Sequence, residues 1–319
     1  MTSVTSITGI GGFGGALVPT AAVAWLVGAG VEISCQTRLV STDAWQPEQY
    51  DRFAAERRQP FDELVGLCHP LEGDGVVYDL GCGPGTLTAE LGERLGASKV
   101  IGVDASPAML AKAEPLAIGR DDLTFERGDL AAFGIEPLPT SPSLILSNAA
   151  LHWVDQHPAV IEQWCRALAH GGQLAVQVPT NHDHPAYGLA STVAEEHPEW
   201  FPDGPPPLPS YTVLTPEHYA QILHGLGAVE QHVALRVFTH ELAGTGDVLE
   251  WIKSTTLNPF RQALESPPAN PKTDEPGSPA EDDRFEQFCR AYRERLIIQE
   301  GIRHPYLFTF KRIVMWARF

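Results

Sequence analysis

Val76-Val77-Tyr78-Asp79-Leu80-Gly81-Cys82-Gly83-Pro84-Gly85 is the stretch that decides the fold class of this chain. A short, mostly apolar run between Gly75 and Gly81 reads as a strand buried on both faces. The glycine-rich loop that follows sits at the carboxyl end of that strand, where open α/β sheets bind ligands. Thr86 to Leu95 places Leu87, Leu91 and Leu95 on one helical face, with Gly96 as the stop signal. Val100-Ile101-Gly102-Val103-Asp104 reads as the next strand, and Ser106-Pro107 supplies a cap and a first-turn proline for a helix through Met109 and Leu110.

The alternation continues outward from this unit. Strands are expected over 123–126, 144–147 and 173–178, with a helix over 158–169. Strands separated by helices imply right-handed βαβ crossovers and a mainly parallel sheet covered on both faces. Upstream, Pro47 to Leu67 presents Tyr50, Phe53, Arg57, Phe61 and Leu64 at helical spacing. Past Pro179 the pattern breaks: residues 181–214 are rich in His and Pro, and Pro205-Pro206-Pro207 predicts a stiff extended segment. A helix from Thr215-Pro216 to about Gly225, strands over 233–241 and 307–319, and a helix from Asp247 are expected beyond it. A Pro-rich linker over 266–279 precedes an amphipathic helix carrying Phe285, Phe288, Tyr292 and Leu296. The expected organisation is a poorly ordered Gly/Ala-rich extension (1–42), a lid helix with a cofactor-binding core (43–180), and a substrate cap, linker and C-terminal strands completing the sheet (181–319).

Composition narrows the function. The chain has 319 residues, 43% hydrophobic and 19% charged, which supports a large core and excludes global disorder. Its net charge of −18 repels phosphate and excludes nucleic acid as an expected partner. An anionic ligand therefore requires a concentrated cationic pocket. The five scattered cysteines fit a reducing compartment, and a cytoplasmic location is expected. Thr2 to Val31 carries no charge, so it lacks the basic start of a secretory signal, and its glycines and Pro19 weaken it as a span. No stable membrane association is expected, and the oligomeric state stays open. His182-Asp183-His184 has no third ligand at useful spacing, so no metal is expected.

Two cofactor classes use a strand, a glycine loop and a second acid at the end of the next strand, here Asp104. A dinucleotide fold wants G-x-G-x-x-G, but the position three after Gly83 is Thr86. Asp79 is awkward beside a pyrophosphate and well placed to attract a cationic amino-acid end, as on S-adenosylmethionine. Asp104 can accept both ribose hydroxyls of a nucleoside. Cys82, in a loop at a helix start where its pKa could fall, is read as packing.

Asp79-Leu80-Gly81-Cys82-Gly83-Pro84-Gly85 resembles the first motif of class I S-adenosylmethionine-dependent methyltransferases, a Rossmann-like fold with a seven-stranded sheet. A closer resemblance, to the trans-aconitate 2-methyltransferase family, covers about residues 43–264 and 281–318. It rests on Trp45-x-Pro47-x-x-Tyr50-x-x-Phe53-x-x-Glu56-Arg57-x-x-Pro60, Asn148 to Trp153, Val176-Gln177-Val178-Pro179-x-Asn181, Asp247-x-x-x-Trp251-x-x-x-Thr255-x-Leu257-x-Pro259-Phe260, and Lys311-Arg312 before a terminal strand. The resemblance implies methylation of one carboxylate of a small tricarboxylic acid. It implies cofactor contacts at Tyr50, Asp79, Gly81, Gly83, Asp104, Ser106, Met109, Asp129, Leu130 and Asn148, with Ala108 beside the adenine. It implies substrate contacts at Arg57, His152, Gln177, Asn181, Tyr211 and Arg312, with Lys253 and Arg261 as further cations and His152 and Trp153 as orienting groups rather than a general base. His152 stands where the family leads one to expect glutamine, and His182 where it leads one to expect an aromatic. The alternatives are methylation of another small acid or metabolite, or a non-catalytic scaffold that keeps the cofactor fold. Helix capping by Asp129 and core packing by Trp153 are the structural alternatives at those positions.

Overall fold

A computed structural model describes residues 54–202, 204–206, 213–253, 256–265 and 281–319. The extension over 1–42 and the linker over 266–279 lie outside them, as does part of the Pro205–Pro207 segment. The opening run is β1 (Val76–Leu80), buried at every position. Parallel to it run β2 (Lys99–Asp104), β3 (Leu123–Arg127), β4 (Leu144–Asn148) and β5 (Gln173–Pro179). β6 (Glu230–Leu242) and β7 (Tyr306–Arg318) complete the sheet, β7 lying antiparallel to both β5 and β6. The order β3-β2-β1-β4-β5-β7-β6 makes the mainly parallel seven-stranded α/β sheet read from the sequence. Its order reverses between β1 and β4, so the crevice at the ends of these strands is the expected ligand site.

In chain order the helices are α1 (Ala54–Leu67), α2 (Leu91–Leu95), α3 (Pro107–Ala113), α4 (His157–Ala167), α5 (Pro185–Glu196), α6 (Pro216–Gly225), α7 (Val248–Lys253), α8 (Asn258–Glu265) and α9 (Glu281–Glu300). Period-two alternation assigns the faces. Val77, Leu144, Leu146, Ala175, Val314 and Trp316 pack with Phe61, Leu64 and Val65 of α1. Tyr78, Ile145, Leu174, Val176, Ile313 and Met315 pack on the other face with Ile161 and Trp164 of α4 and Tyr219 and Leu223 of α6.

Three expectations differ from the structure. No helix starts at Thr86: a 3₁₀ turn over Thr88–Glu90 leads into α2, because Gly83 and Gly85, with φ of 57° and 76°, keep the chain turning beforehand. Residues 181–214 are not uniformly irregular, since α5 lies within them. Its start is made by His184, which accepts from the Ala186 amide, and Pro185 at the first position. β6 is longer than expected, whereas β7 keeps its expected length and starts one residue earlier. β5 pairs with β7 only as far as Pro179↔Arg312, so Tyr306 to Lys311 continue with Val237 to Leu242 as a two-stranded arm. That arm contributes Phe238, Leu242, Phe308 and Phe310 to a separate apolar cluster with Phe201, Trp251, Phe260, Phe288 and Tyr292. This cluster is a core of its own, apart from the two that cover the faces of the sheet.

Candidate active site

The loop after β1 is pinned to β2. The Gly81 and Cys82 amides donate to the Val103 carbonyl at 2.7 and 3.1 Å, and the Gly83 amide donates to Asp104 Oδ2 at 2.8 Å. The glycines have different jobs. A Cβ on Gly81 would stand 2.2 Å from the Cβ of Ala150, and one on Gly85 would meet the Phe125 ring at 2.6 Å. Gly83, in contrast, faces open space among the described residues, where no atom beyond its chain neighbours comes within 4 Å of the place its Cβ would take. Room for a ligand at the backbone is therefore at Gly83, whereas Gly81 and Gly85 permit contacts inside the protein.

Asp104 Oδ1 accepts from the Ser106 amide at 2.8 Å, so each carboxylate oxygen holds one backbone N–H and keeps a lone pair. Burial raises its pKa, opposed by the Ser106, Gly83 and Ala105 amides. Asp79, buried on β1, accepts from Thr88 Oγ at 2.6 Å. Burial lifts its pKa to about 7, the Thr88 hydroxyl opposing and the Asp104 charge adding to the rise. Ser106 caps α3, accepting from the Met109 amide at 3.3 Å, and both side chains are buried. Leu130 is buried near Gly81. Asp129 is exposed and accepts from the Ala131 amide at 2.9 Å, a local turn cap. The Cys82 thiol is pushed up by burial and by Asp79 and Asp104, the reverse of activation.

Parity brings a second group together. Asp79, Asn148, Gln177 and Arg312 occupy the same parity as Val77, Leu146, Ala175 and Val314, and so lie on the sheet face that α1 covers. Asn148 and Gln177 are direct neighbours in register, and Arg312 pairs with Pro179 one step further on. Arg312 is 9% exposed, its guanidinium carbon 5.1 Å from the Phe310 ring centre. Asn148 Oδ1, Gln177 Oε1 and His152 Nδ1 are buried and have no hydrogen-bond partner among the described residues. Buried polar atoms without partners carry a desolvation cost and are rare. Their clustering at the switch point marks a place where a polar ligand belongs.

His152 stands in a 3₁₀ turn, Leu151–Trp153, its ring centre 4.7 Å from that of Trp153. Burial, then the Arg312 charge, then His157 lower its pKa to about 3, so it is neutral at physiological pH. Asn181 is engaged internally: Oδ1 accepts from the Lys311 amide at 2.5 Å and Nδ2 donates to Tyr187 Oη at 3.2 Å. It braces β5 against β7, with one amide hydrogen left over. Lys253 and Arg261 lie on α7 and α8, away from the row on the sheet. Lys253 is 3.5 Å from both Glu250 and Glu286, and Arg261 lies over the Phe285 ring and 3.8 Å from Glu265. Asp183 pairs with Lys311, and no cluster of three or more metal-ligating side chains occurs among the described residues. Tyr50, Tyr211 and the side chain of Arg57 lie outside the described residues. Thr88 was missed by sequence reasoning, since a hydroxyl beyond the glycine loop carries no signal until the loop folds back.

A methyltransferase-domain family profile matches residues 77–172. The trans-aconitate 2-methyltransferase of Deinococcus radiodurans is 39% identical over 224 residues, covering 69% of this chain and 84% of that protein. The protein of the same name from Variovorax paradoxus is 38% identical, with 69% and 82% covered, and that from Streptomyces coelicolor is 36% identical, with 86% of each covered. Among solved structures, Haemonchus contortus phosphoethanolamine N-methyltransferase 2 with S-adenosylhomocysteine matches at 16% identity and a TM-score of 0.46, over 82% of this chain and 52% of that one.

Proposed function

The chain belongs to the trans-aconitate 2-methyltransferase family, and from that premise we propose that it transfers a methyl group from S-adenosylmethionine to one carboxylate of a small polycarboxylic acid, trans-aconitate first among them, giving a monomethyl ester. The observation that carries this reading is the row of buried, unpartnered polar atoms at Asn148, His152 and Gln177 beside the buried cation of Arg312. In a chain of net charge −18 a buried guanidinium beside the carboxyl end of β5 is the local field that a polyanion needs.

The described residues fit the cofactor. Gly83 faces open space, Asp104 keeps an accepting lone pair on each oxygen, and Asp79 is a buried acid that an ammonium group would stabilise in its charged form. When bound, S-adenosylmethionine supplies a methyl carbon that bonds to the attacking carboxylate oxygen while its bond to sulfur breaks, the electron pair remaining on sulfur. The carboxylic acid, with a pKa of about 4, arrives already ionised, so no residue has to remove a proton. Arg312, with Arg57 of α1 as its partner in this reading, holds the carboxylates that do not react, and an Arg fork suits that geometry. Asn148, His152 and Gln177 orient the reacting carboxylate, Trp153 bounds it, and the enclosure supplies most of the rate through alignment.

Calorimetric titration with S-adenosylmethionine, followed by a turnover screen with trans-aconitate, cis-aconitate, citrate and isocitrate, tests the reading. Tight cofactor binding and formation of a base-labile methyl ester are expected. Cofactor binding without ester formation on any of these acids would leave methylation of another metabolite or a scaffold role, and tight NADH binding would overturn the cofactor assignment.

A further inference from the structure

The turn that carries His152 and Trp153 is strained at both ends. Ala149 and Gln156, with φ of 55° and 59°, are the two non-glycine residues with positive φ among the described residues. That conformation penalises any residue with a Cβ and persists only where neighbours over-determine it. At the first end the Ala149 amide donates to the Gln177 carbonyl at 2.9 Å, and Ala150 packs against Gly81. At the second end the Gln156 carbonyl accepts from the Ala159 and Val160 amides at 2.9 and 3.1 Å, and side chains add a further restraint.

His157 opens α4 directly after Gln156, and its ring is 1% exposed. Nδ1 lies 2.6 Å from Tyr219 Oη, and Nε2 lies 3.0 Å from the Val154 carbonyl. A carbonyl only accepts, so Nε2 carries a proton, and in the neutral ring that burial favours over the opposing Leu151 and Val154 carbonyls, Nδ1 is the acceptor. Tyr219 must then donate to Nδ1, and its oxygen accepts the Leu214 amide at 3.2 Å. The direction of every hydrogen bond in this relay is thereby determined: Leu214 N–H to Tyr219, Tyr219 O–H to His157, and His157 N–H to Val154. Tyr219 is fully buried, so removing its hydroxyl takes the acceptor from the Leu214 amide and a donor from His157.

We propose that His157 and Tyr219 are positioning residues for methyl transfer, their relay clamping residues 149–156 in the strained form that presents His152 and Trp153 to the substrate. The proposal rests on the function assigned above to that turn, and none of the sequence features that identified the site includes Tyr219.

Tyr219→Phe keeps the ring and deletes the middle of the relay, and Gln156→Gly removes the strain that the clamp opposes, because glycine adopts positive φ freely. In Tyr219→Phe, kcat with trans-aconitate should fall about tenfold while cofactor affinity by calorimetry stays within about twofold, the pattern of misplaced reacting groups. Adding Gln156→Gly should return kcat to within about threefold of the Gln156→Gly single variant and reduce the loss of Tm that Tyr219→Phe causes. Nitrogen-15 NMR of the wild-type protein should find His157 neutral with its proton on Nε2. A proton on Nδ1, an unchanged kcat in Tyr219→Phe, or the same Tyr219→Phe loss with and without Gln156→Gly would each overturn the clamp. If Tyr219→Phe does not fold, recovery of folding in the double variant supports the clamp, and failure of both overturns it. If the wild-type protein turns over no small acid, the proposed function fails, while the tautomer and the Tm coupling, which need no substrate, still decide the clamp.

Discussion

In the proposed function Asp79 couples cofactor binding to pH through a single buried carboxyl. Its pKa of about 7 in the folded chain exceeds the ordinary 3.8, so between those values the native state holds a proton that the unfolded chain has lost. Native stability from this group is therefore full below the ordinary value and falls as pH rises towards 7. An ammonium group beside it reverses the preference. Affinity for S-adenosylmethionine should rise from pH 5.5 to about 7.5, with proton release on binding that calorimetry in buffers of different ionisation enthalpy detects. Asp79→Asn should flatten that dependence and weaken binding; a wild-type pH profile in this variant would remove Asp79 from the cofactor site. His152 behaves oppositely. With its pKa lowered to about 3 it has no titration near neutrality, so kcat at saturating substrate should be flat from about pH 6.5 to 9. His152→Gln should keep turnover within about tenfold, because an orienting group is being exchanged rather than a base. A tenfold rise in kcat per pH unit through the histidine range would make the nucleophile a hydroxyl, amine or carbon acid. Arg312→Ala should raise KM for the acid by about tenfold or more, the worth of a charge-assisted pair, while cofactor affinity holds. An unchanged KM would move the anion site to other cations.

The β1 loop shows how an element positions these residues. Gly81 has φ of 79° and lies under Ala150, so a methyl group there meets both a backbone penalty and a clash at 2.2 Å. Gly81→Ala should cost about 2–4 kcal/mol by chemical denaturation. Adding Ala150→Gly should return the clash portion and leave the backbone portion, and strict additivity of the two substitutions would show that the loop and the β4–α4 turn are not in contact. The motif was legible in the sequence as a glycine loop, but the division of labour among its glycines was not. Positive φ at each of them is equally compatible with ligand approach or internal contact, and only the neighbours brought in by β2 and β4 separate the two. Helix α5 was missed for a related reason: Pro185 and the histidines just before it read as breakers, yet Pro185 occupies the one helical position where proline costs nothing.

On the scale of the whole molecule, the extension over 1–42 was read as dispensable because it has neither periodicity nor charge to dock it. Deleting residues 1–42 should leave kcat and Tm nearly unchanged, whereas loss of turnover, or membrane pelleting that depends on this segment, would show that it acts. Among the described residues no helix is long and apolar enough to cross a membrane. The sequence by itself determined the sheet and its cofactor end: apolar runs of strand length, glycines between strand and helix, and an acid closing β2 are local signals, readable because each is contiguous in the chain. It also marked Arg312, Gln177 and Asn148 as candidates through resemblance to a family. Only the tertiary structure decided that these three share one face with Asp79, that Asn181 is a brace, that Lys253 and Arg261 are engaged by Glu286 and Glu265, and that Tyr219 reaches across 62 residues to His157. The physical reason is that strand parity is local but strand neighbours are not. Which side chains meet depends on the register of β4, β5 and β7, and β7 enters the sheet from the far end of the chain.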